Sequence, residues 1–222
     1  LVLCHRRGGA ARSDDARAVA QAAQARGWRF VVPHFRGCSG EMNLAPRAYH
    51  SGDHEEIAWI LQRLRLGHTG KIFAVGVSLG GNALLRWAQE AGETASSSVH
   101  AVAAVCAPID LTASGHAIGR GLNRHIYTRM FLRSLKPKAL RKWQQHPGLF
   151  DRDAMLAARN LYEFDNLVTA PLHGFRDTDD YWTRASSKPD LAHIETPTLI
   201  VHARNDPFLP GFYLPAPGEI SP

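Results

Sequence analysis

The residues best suited to chemistry lie at Gly76-Val-Ser-Leu-Gly80, where a serine stands between two glycines, each two positions away. Glycines at that spacing let the backbone fold sharply, because a Cβ at either position would collide with the turn. The turn drives Ser78 towards positive φ and lifts its hydroxyl clear of the fold, while the next backbone N–H, that of Leu79, faces the same space. A nucleophilic oxygen and one donor for a tetrahedral oxyanion meet at this corner. A serine hydroxyl is a weak nucleophile near neutral pH, so it needs a base and a carboxylate to orient that base. Asp206, in Asn205-Asp-Pro207 just after an apolar strand, is the preferred carboxylate because Asn-Asp-Pro fixes a turn. Asp110, in Ala107-Pro-Ile-Asp110, is its rival and is equally suited to capping the helix that follows.

These groups need elements that deliver them to one edge. An apolar run from Lys71 to Val77 enters the serine corner, and an Ala/Leu-rich helix from Leu79 to about Ala91 leaves it, ending at Gly92. Upstream, Leu1–Cys4 reads as a strand. It is followed by a helix from Asp14 to Arg26, capped by Ser13 and closed by Gly27, and by a strand over Trp28–Phe35. A further helix runs from about Asp53 to Leu66, with Ser51 as its cap and Ile57, Ile60, Leu61 and Leu64 on one face. Ala101–Cys106 is a wholly apolar strand, and strand–helix alternation predicts a parallel sheet. From Asp110 the patterns are helical, punctuated by Pro137 and Pro147, until the strand Thr196–His202. The expected organisation is a core over 1–109, a helical lid insertion over 110–190, and a core segment over 191–222 that carries the acid.

Composition narrows the classes. At 222 residues and 45% hydrophobic, the chain can bury a full core. It opens on a strand rather than a methionine and stops in a Pro-rich tail, so both ends are expected to be cut from a longer protein. No apolar run is long enough to span a bilayer, and three cysteines (Cys4, Cys38, Cys106) lack the spacing of a zinc site or disulfide framework, which makes a reducing cytoplasm the expected setting. The net charge is +6, yet the stretch from Leu111 to Phe150 alone holds eight Lys or Arg and no acid. Solvated helix faces explain such a run, and a patch for an anionic membrane lipid or an acidic substrate is the alternative. Nucleic acid is not expected, since no recognition motif accompanies the charge. His50, His54 and Glu55 have the spacing of a metal pair but not the H-E-x-x-H order, and no metal is expected.

His5 at the end of the first strand, Pro33-His-Phe-Arg-Gly-Cys-Ser-Gly40, Tyr49-His-Ser-Gly52, Gly76-Val-Ser-Leu-Gly-Gly-Asn82 and Asn205-Asp-Pro-Phe208 together resemble the YheT-like α/β-hydrolases, relatives of the ABHD-type esterases. The resemblance spans nearly the whole chain. It implies an α/β-hydrolase fold with a helical lid, no cofactor, and hydrolysis of short-chain carboxylic esters or acylglycerols by a Ser-Asp-His triad, with Ser78 as nucleophile and Asp206 as acid. The chain departs from the family pattern in two places. The oxyanion loop His-Gly-x-x-Gly is here His5-Arg-Arg-Gly-Gly9, which leaves the Arg7 N–H as the second donor beside Leu79 and puts a Cβ at Arg6 where the family has glycine. The family histidine follows the acid, whereas no histidine follows Asp206, so these residues alone are expected to be nearly inactive. His202, nearest to Asp206 in sequence, is expected to point into a neighbouring layer. The replacement at Arg6 keeps open a non-catalytic binding or scaffold protein on the same fold.

Overall fold

The computed structural model describes residues 1–4 and 13–220. Its sheet has four strands in the order β1 (Val2–Cys4), β2 (Phe73–Val77), β3 (Ala101–Val105) and β4 (Thr198–Val201), each parallel to its neighbour. The segment expected as a strand at Trp28–Phe35 meets the sheet through one parallel bridge, Val2 to Val31, on the other side of β1. Leu3 N–H donates to Val31 O at 2.9 Å and Val31 N–H to Leu1 O at 3.0 Å. Pro33 lacks an N–H, so the ladder stops soon after it begins. The chain therefore steps outward from β1 and then returns to lay β2 on its opposite side. That reversal of direction opens a crevice at the carboxyl ends of β1 and β2, and Ser78 emerges there.

Helix α1 (Asp14–Gln24) is capped by the Ser13 hydroxyl, which accepts from Ala16 N–H at 3.2 Å. Helix α2 (His54–Leu66) is capped by Asp53 and not by Ser51. The Asp53 carboxylate accepts from Glu56 N–H at 3.3 Å and from Arg47 at 2.7 Å, while Ser51 is occupied in a longer-range network described below. Helix α3 (Leu79–Ala91) packs across the sheet with Leu84 and Leu85 fully buried, each contributing roughly 1.5–3 kcal/mol of apolar burial. After the short α4 (Ala95–Ser98), β3 returns the chain to the sheet.

Between β3 and β4 lie only helices: α5 (Leu111–Ile118), α6 (Gly121–Asn123), α7 (Arg129–Gln145), α8 (Arg152–Ala157), α9 (Leu161–Phe164), α10 (Ala170–Leu172) and α11 (Thr178–Ala185), followed by a 3-10 segment, with π-helical turns at Arg124–Thr128 and Asp165–Thr169. Helix α7 passes through Pro137 without ending there. A proline in a helix interior removes one hydrogen bond, but Leu132 before it and Ala139 after it are both buried in one apolar cluster, which holds the two halves in line. This helical region has two apolar clusters of its own, one around Met155 and Phe164 and one around Tyr181 and Trp182, separate from the core beneath the sheet.

Candidate active site

Ser78 sits at the β2–α3 corner with φ 54° and ψ −125°, one of two described non-glycine residues at positive φ. The strain is sustained by close packing. A Cβ on Gly76 would lie 2.5 Å from Gly81 Cα and 2.6 Å from Gly80 O, and one on Gly81 would lie 2.9 Å from Ala107 Cβ. Ser78 N–H donates to Val105 O at 2.8 Å, which ties the corner to β3. Cys106, the other positive-φ residue at 47°, ends β3 beside it and donates to Val201 O of β4 at 2.8 Å. Leu79 is the first residue of α3, so its N–H has no carbonyl one turn back to bond and is available to a ligand.

Ser78 and Leu79 open into a cavity of about 260 Å³ between the carboxyl edge of the sheet and the helical region. Asp206 and His202 line the same cavity, whereas Asp110 does not. Asp110 caps α5, accepting from Ala113 N–H at 2.9 Å. Asp206 follows β4 in a tight turn in which its carboxylate accepts from Phe208 N–H at 2.8 Å. Contrary to the expectation from sequence, His202 faces this site rather than a neighbouring layer: its Nε2 lies 3.4 Å from Asp206 Oδ2, and its side chain is only 4% exposed. The ring lies one residue beyond β4, where the strand alternation no longer dictates its direction. Burial pulls the His202 pKa down, and Asp206 partly opposes it. The proposed second oxyanion donor, Arg7, and the Arg6 replacement beside it lie outside the described residues.

Polar contacts invisible to local sequence patterns hold the floor of the cavity. Buried Asn82, one turn into α3, donates through Nδ2 to Ser51 O and Ser51 Oγ, both at 3.1 Å, and to Ala185 O at 2.8 Å, while its Oδ1 accepts from Ser187 N–H at 3.2 Å. A Cβ on Gly52 would lie 2.7 Å from Ala185 Cβ, so the Tyr49–Gly52 loop and α11 are locked against each other. His50 is buried within ring contact of His173, Phe175 and Tyr181, and burial followed by His173 pushes its pKa well below the ordinary value. Among the described residues no group of three or more His, Cys, Asp or Glu side chains could hold a metal ion.

Helix α7 forms part of the cavity wall through residues such as Phe131, Leu135 and Ala139. Near its start, Asn123 Nδ2 donates to Pro207 O at 2.9 Å and Tyr127 packs edge-on to Phe208 with ring centroids 4.7 Å apart. Near its end, buried Lys142 donates to Asn43 O at 2.6 Å and Ala45 O at 2.8 Å. Lys142 is thus not part of the surface charge that the run of basic residues suggested. Arg120, Arg124, Arg129, Arg133 and Arg141 are exposed. No described helix is long and apolar enough to cross a membrane.

A parallel sheet that turns through a strained serine corner into a helix, beneath a helical insertion, is the arrangement of the α/β hydrolase fold, and the chain belongs to that family: its model matches residues 1–222. Within the family the chain is YheT-like. It is 40% identical to YheT of Escherichia coli (strain K12) over 226 residues, covering all of this chain and 65% of that protein. It is 29% identical to Phospholipase ABHD3 of Mus musculus over 190 residues (85% of this chain, 46% of that one) and 24% identical to Monoacylglycerol lipase of Saccharomyces cerevisiae over 222 residues (95% and 48%). The chain thus spans 65% or less of the length of each of these relatives. The fold also matches a crystal structure of monoacylglycerol lipase from Paleococcus ferrophilus, with a TM-score of 0.50, 17% identity, and coverage of 95% of this chain and 75% of that one.

Proposed function

We propose that the protein is a serine hydrolase of carboxylic esters, acting through an acyl-enzyme on Ser78. The observation that carries this reading is the strained Ser78 corner opening, with the Leu79 N–H, into a cavity that Asp206 also lines. The Ser78 oxygen attacks the ester carbonyl while its proton passes to an imidazole oriented by Asp206. The Leu79 N–H donates to the oxyanion, and the alcohol departs with the proton from the imidazole. Water then attacks the acyl-enzyme by the same route and releases the acid and free Ser78. The apolar walls, supplied by side chains such as Phe131, Leu135, Phe164 and Val168, suit an acyl chain. The esterase and lipase relatives support an ester or acylglycerol substrate.

In this reading the helices of 110–190 form a lid. One feature supports contact of that lid with a lipid surface: Leu122, Ile126 and Met130, spaced four apart, are 78%, 57% and 50% exposed, and Arg124, Arg129 and Arg133 flank them. An apolar stripe edged by arginines is the pattern of a helix lying in a lipid–water interface. Met130 also lines the cavity, so the stripe leads to its mouth. The function is tested by hydrolysis of p-nitrophenyl esters by the full-length protein that contains this chain and by its Ser78→Ala variant. Turnover that depends on Ser78 supports the reading, and equal turnover by both refutes it.

A further inference from the structure

The cavity is asymmetric in charge. Ser78 follows β2, Asp206 and His202 follow β4 on one side, and the turn containing Arg36 closes the segment beside β1 on the other. Strand order therefore places Ser78 between an acid-bearing end and an end built around Arg36 and Lys138.

Lys138 reaches this second end from α7. Its Nζ lies 3.6 Å from Cys38 Sγ and 5.7 Å from the centroid of the Tyr49 ring. Cys38 belongs to the same turn as Arg36, its N–H donating to Phe35 O at 2.9 Å. Among the described residues, Lys138 has no carboxylate partner. Arg36 has one at a distance: its Nε is 3.6 Å from Glu56 Oε1, and burial, followed by nearby Asp53, raises the Glu56 pKa to about 7, so that carboxylate is only partly ionised at neutral pH. Neighbouring Lys142 adds a third cation, whose hydrogen bonds go to uncharged oxygens of Asn43, Ala45 and Gln145. Both acids that line the cavity have partners elsewhere, Asp206 in the Phe208 N–H and Asp165 in Thr169 and Trp182. Half-burying cations beside apolar walls is costly unless an anion accompanies them.

We propose that this end is an anion subsite, so that the substrate is an ester carrying a carboxylate or phosphate some bonds away from the scissile carbonyl. The inference rests on the hydrolase reading of Ser78 and adds the substrate's charge. Lys138 supplies a point charge at the anion, and Arg36 supplies guanidinium donors beside it. The Tyr49 ring sets the direction of the lysine stem.

The test measures binding without turnover. Decyl phosphate, decanoate and decanol are titrated into the Ser78→Ala protein by calorimetry at pH 7 and low salt. The anions are expected to bind at least roughly 10-fold more tightly than decanol, as charge-assisted hydrogen bonds of about 1.5–3 kcal/mol require. Lys138→Met, which keeps the stem but removes the charge, is expected to erase most of that preference, whereas Arg133→Met on the exposed face of the same helix leaves it unchanged. Equal affinity for all three probes overturns the proposal, as does a preference that survives Lys138→Met or is lost equally in Arg133→Met. In the wild-type protein, a p-nitrophenyl hemiester of a dicarboxylic acid and an acyl glycerol phosphate, each against its uncharged counterpart, place the anion on the acyl or the alcohol side. If neither charged ester is preferred, the subsite does not serve the substrate and the proposal fails. Loss of Ser78-dependent hydrolysis on every ester, with anion binding intact, refutes the hydrolase reading alone.

Discussion

Lys142, on the helix that forms part of the cavity wall, donates to the backbone oxygen of Asn43 at 2.6 Å, joining the helical insertion to a loop of the core ninety-nine residues earlier. Its ammonium also meets Ala45 O, Asn43 Oδ1 and Gln145 Oε1, so a buried cation is fully surrounded by acceptors. Asn123 on α6, just ahead of α7, adds a second tie by donating to Pro207 O at 2.9 Å.

Removing the clamp is expected to loosen this wall. Lys142→Met deprives two backbone carbonyls of a charged donor and is predicted to lower stability by about 2–3 kcal/mol. Thermal unfolding checks the loss, and faster proteolysis within 121–145 than elsewhere would locate it. An unchanged melting temperature would mean that the apolar contacts of α7 suffice alone.

Glu56 gives a pH signature. Its folded pKa is raised to about 7 from an ordinary 4.5, chiefly by burial. The folded state therefore holds this proton more tightly than the unfolded state, and the stability it contributes is full below about pH 4.5 and lost as pH rises through 7. Glu56→Gln keeps the acceptor for Arg36 N–H, at 3.0 Å in the wild type, and removes the ionisation. Relative to wild type it is predicted to gain on the order of 2–3 kcal/mol between pH 5 and 8. Denaturant titrations of both proteins across that range check it. A constant difference at all pH values would contradict the raised pKa.

His202 is predicted to hold the Asp206 carboxylate rather than to serve as the base. His202→Gln should lower kcat by roughly 10- to 100-fold, well short of the roughly 10⁶-fold loss known when subtilisin loses its catalytic histidine. The pH–rate profile should then keep its acidic limb, since a residue that only positions Asp206 does not supply that limb. A loss as complete as that of Ser78→Ala, with the limb abolished, would make His202 the base.

Contact with lipid should follow the stripe on the lid. Leu122→Asp combined with Ile126→Asp is predicted to abolish sedimentation with anionic vesicles without changing hydrolysis of a soluble p-nitrophenyl ester. Wild-type binding should weaken with added salt, since exposed charges are screened within about 10 Å at 0.1 M ionic strength. Equal sedimentation with neutral and anionic vesicles would return the arginines to simple solvation.

Much of this architecture is legible in the sequence because its causes are local. The corner at Ser78 follows from glycine spacing, strands β2 and β3 follow from short apolar runs, and helix α3 follows from an Ala/Leu-rich run closed by Gly92. What escaped the sequence reading depends on distant partners. Ser51 looks like a helix cap until Asn82 claims its hydroxyl across thirty-one residues, leaving Asp53 to cap α2. Trp28–Phe35 has the composition of a strand but one bridge to the sheet, because pairing depends on the neighbour as well as on propensity. Lys142 reads as surface charge until the core loop surrounds it. His202, just past the end of β4, turns to the cavity beside Asp206, a placement no periodicity encodes.

The central claim is that Ser78 is the nucleophile. The most direct measurement is labelling of the protein with an active-site-directed fluorophosphonate, followed by peptide mass spectrometry, alongside Ser78→Ala. The account predicts one modified residue, Ser78 in the peptide spanning β2 and α3, and no labelling in the variant, with both proteins equally folded by circular dichroism. Labelling that persists in Ser78→Ala, or that falls on another side chain, would contradict it.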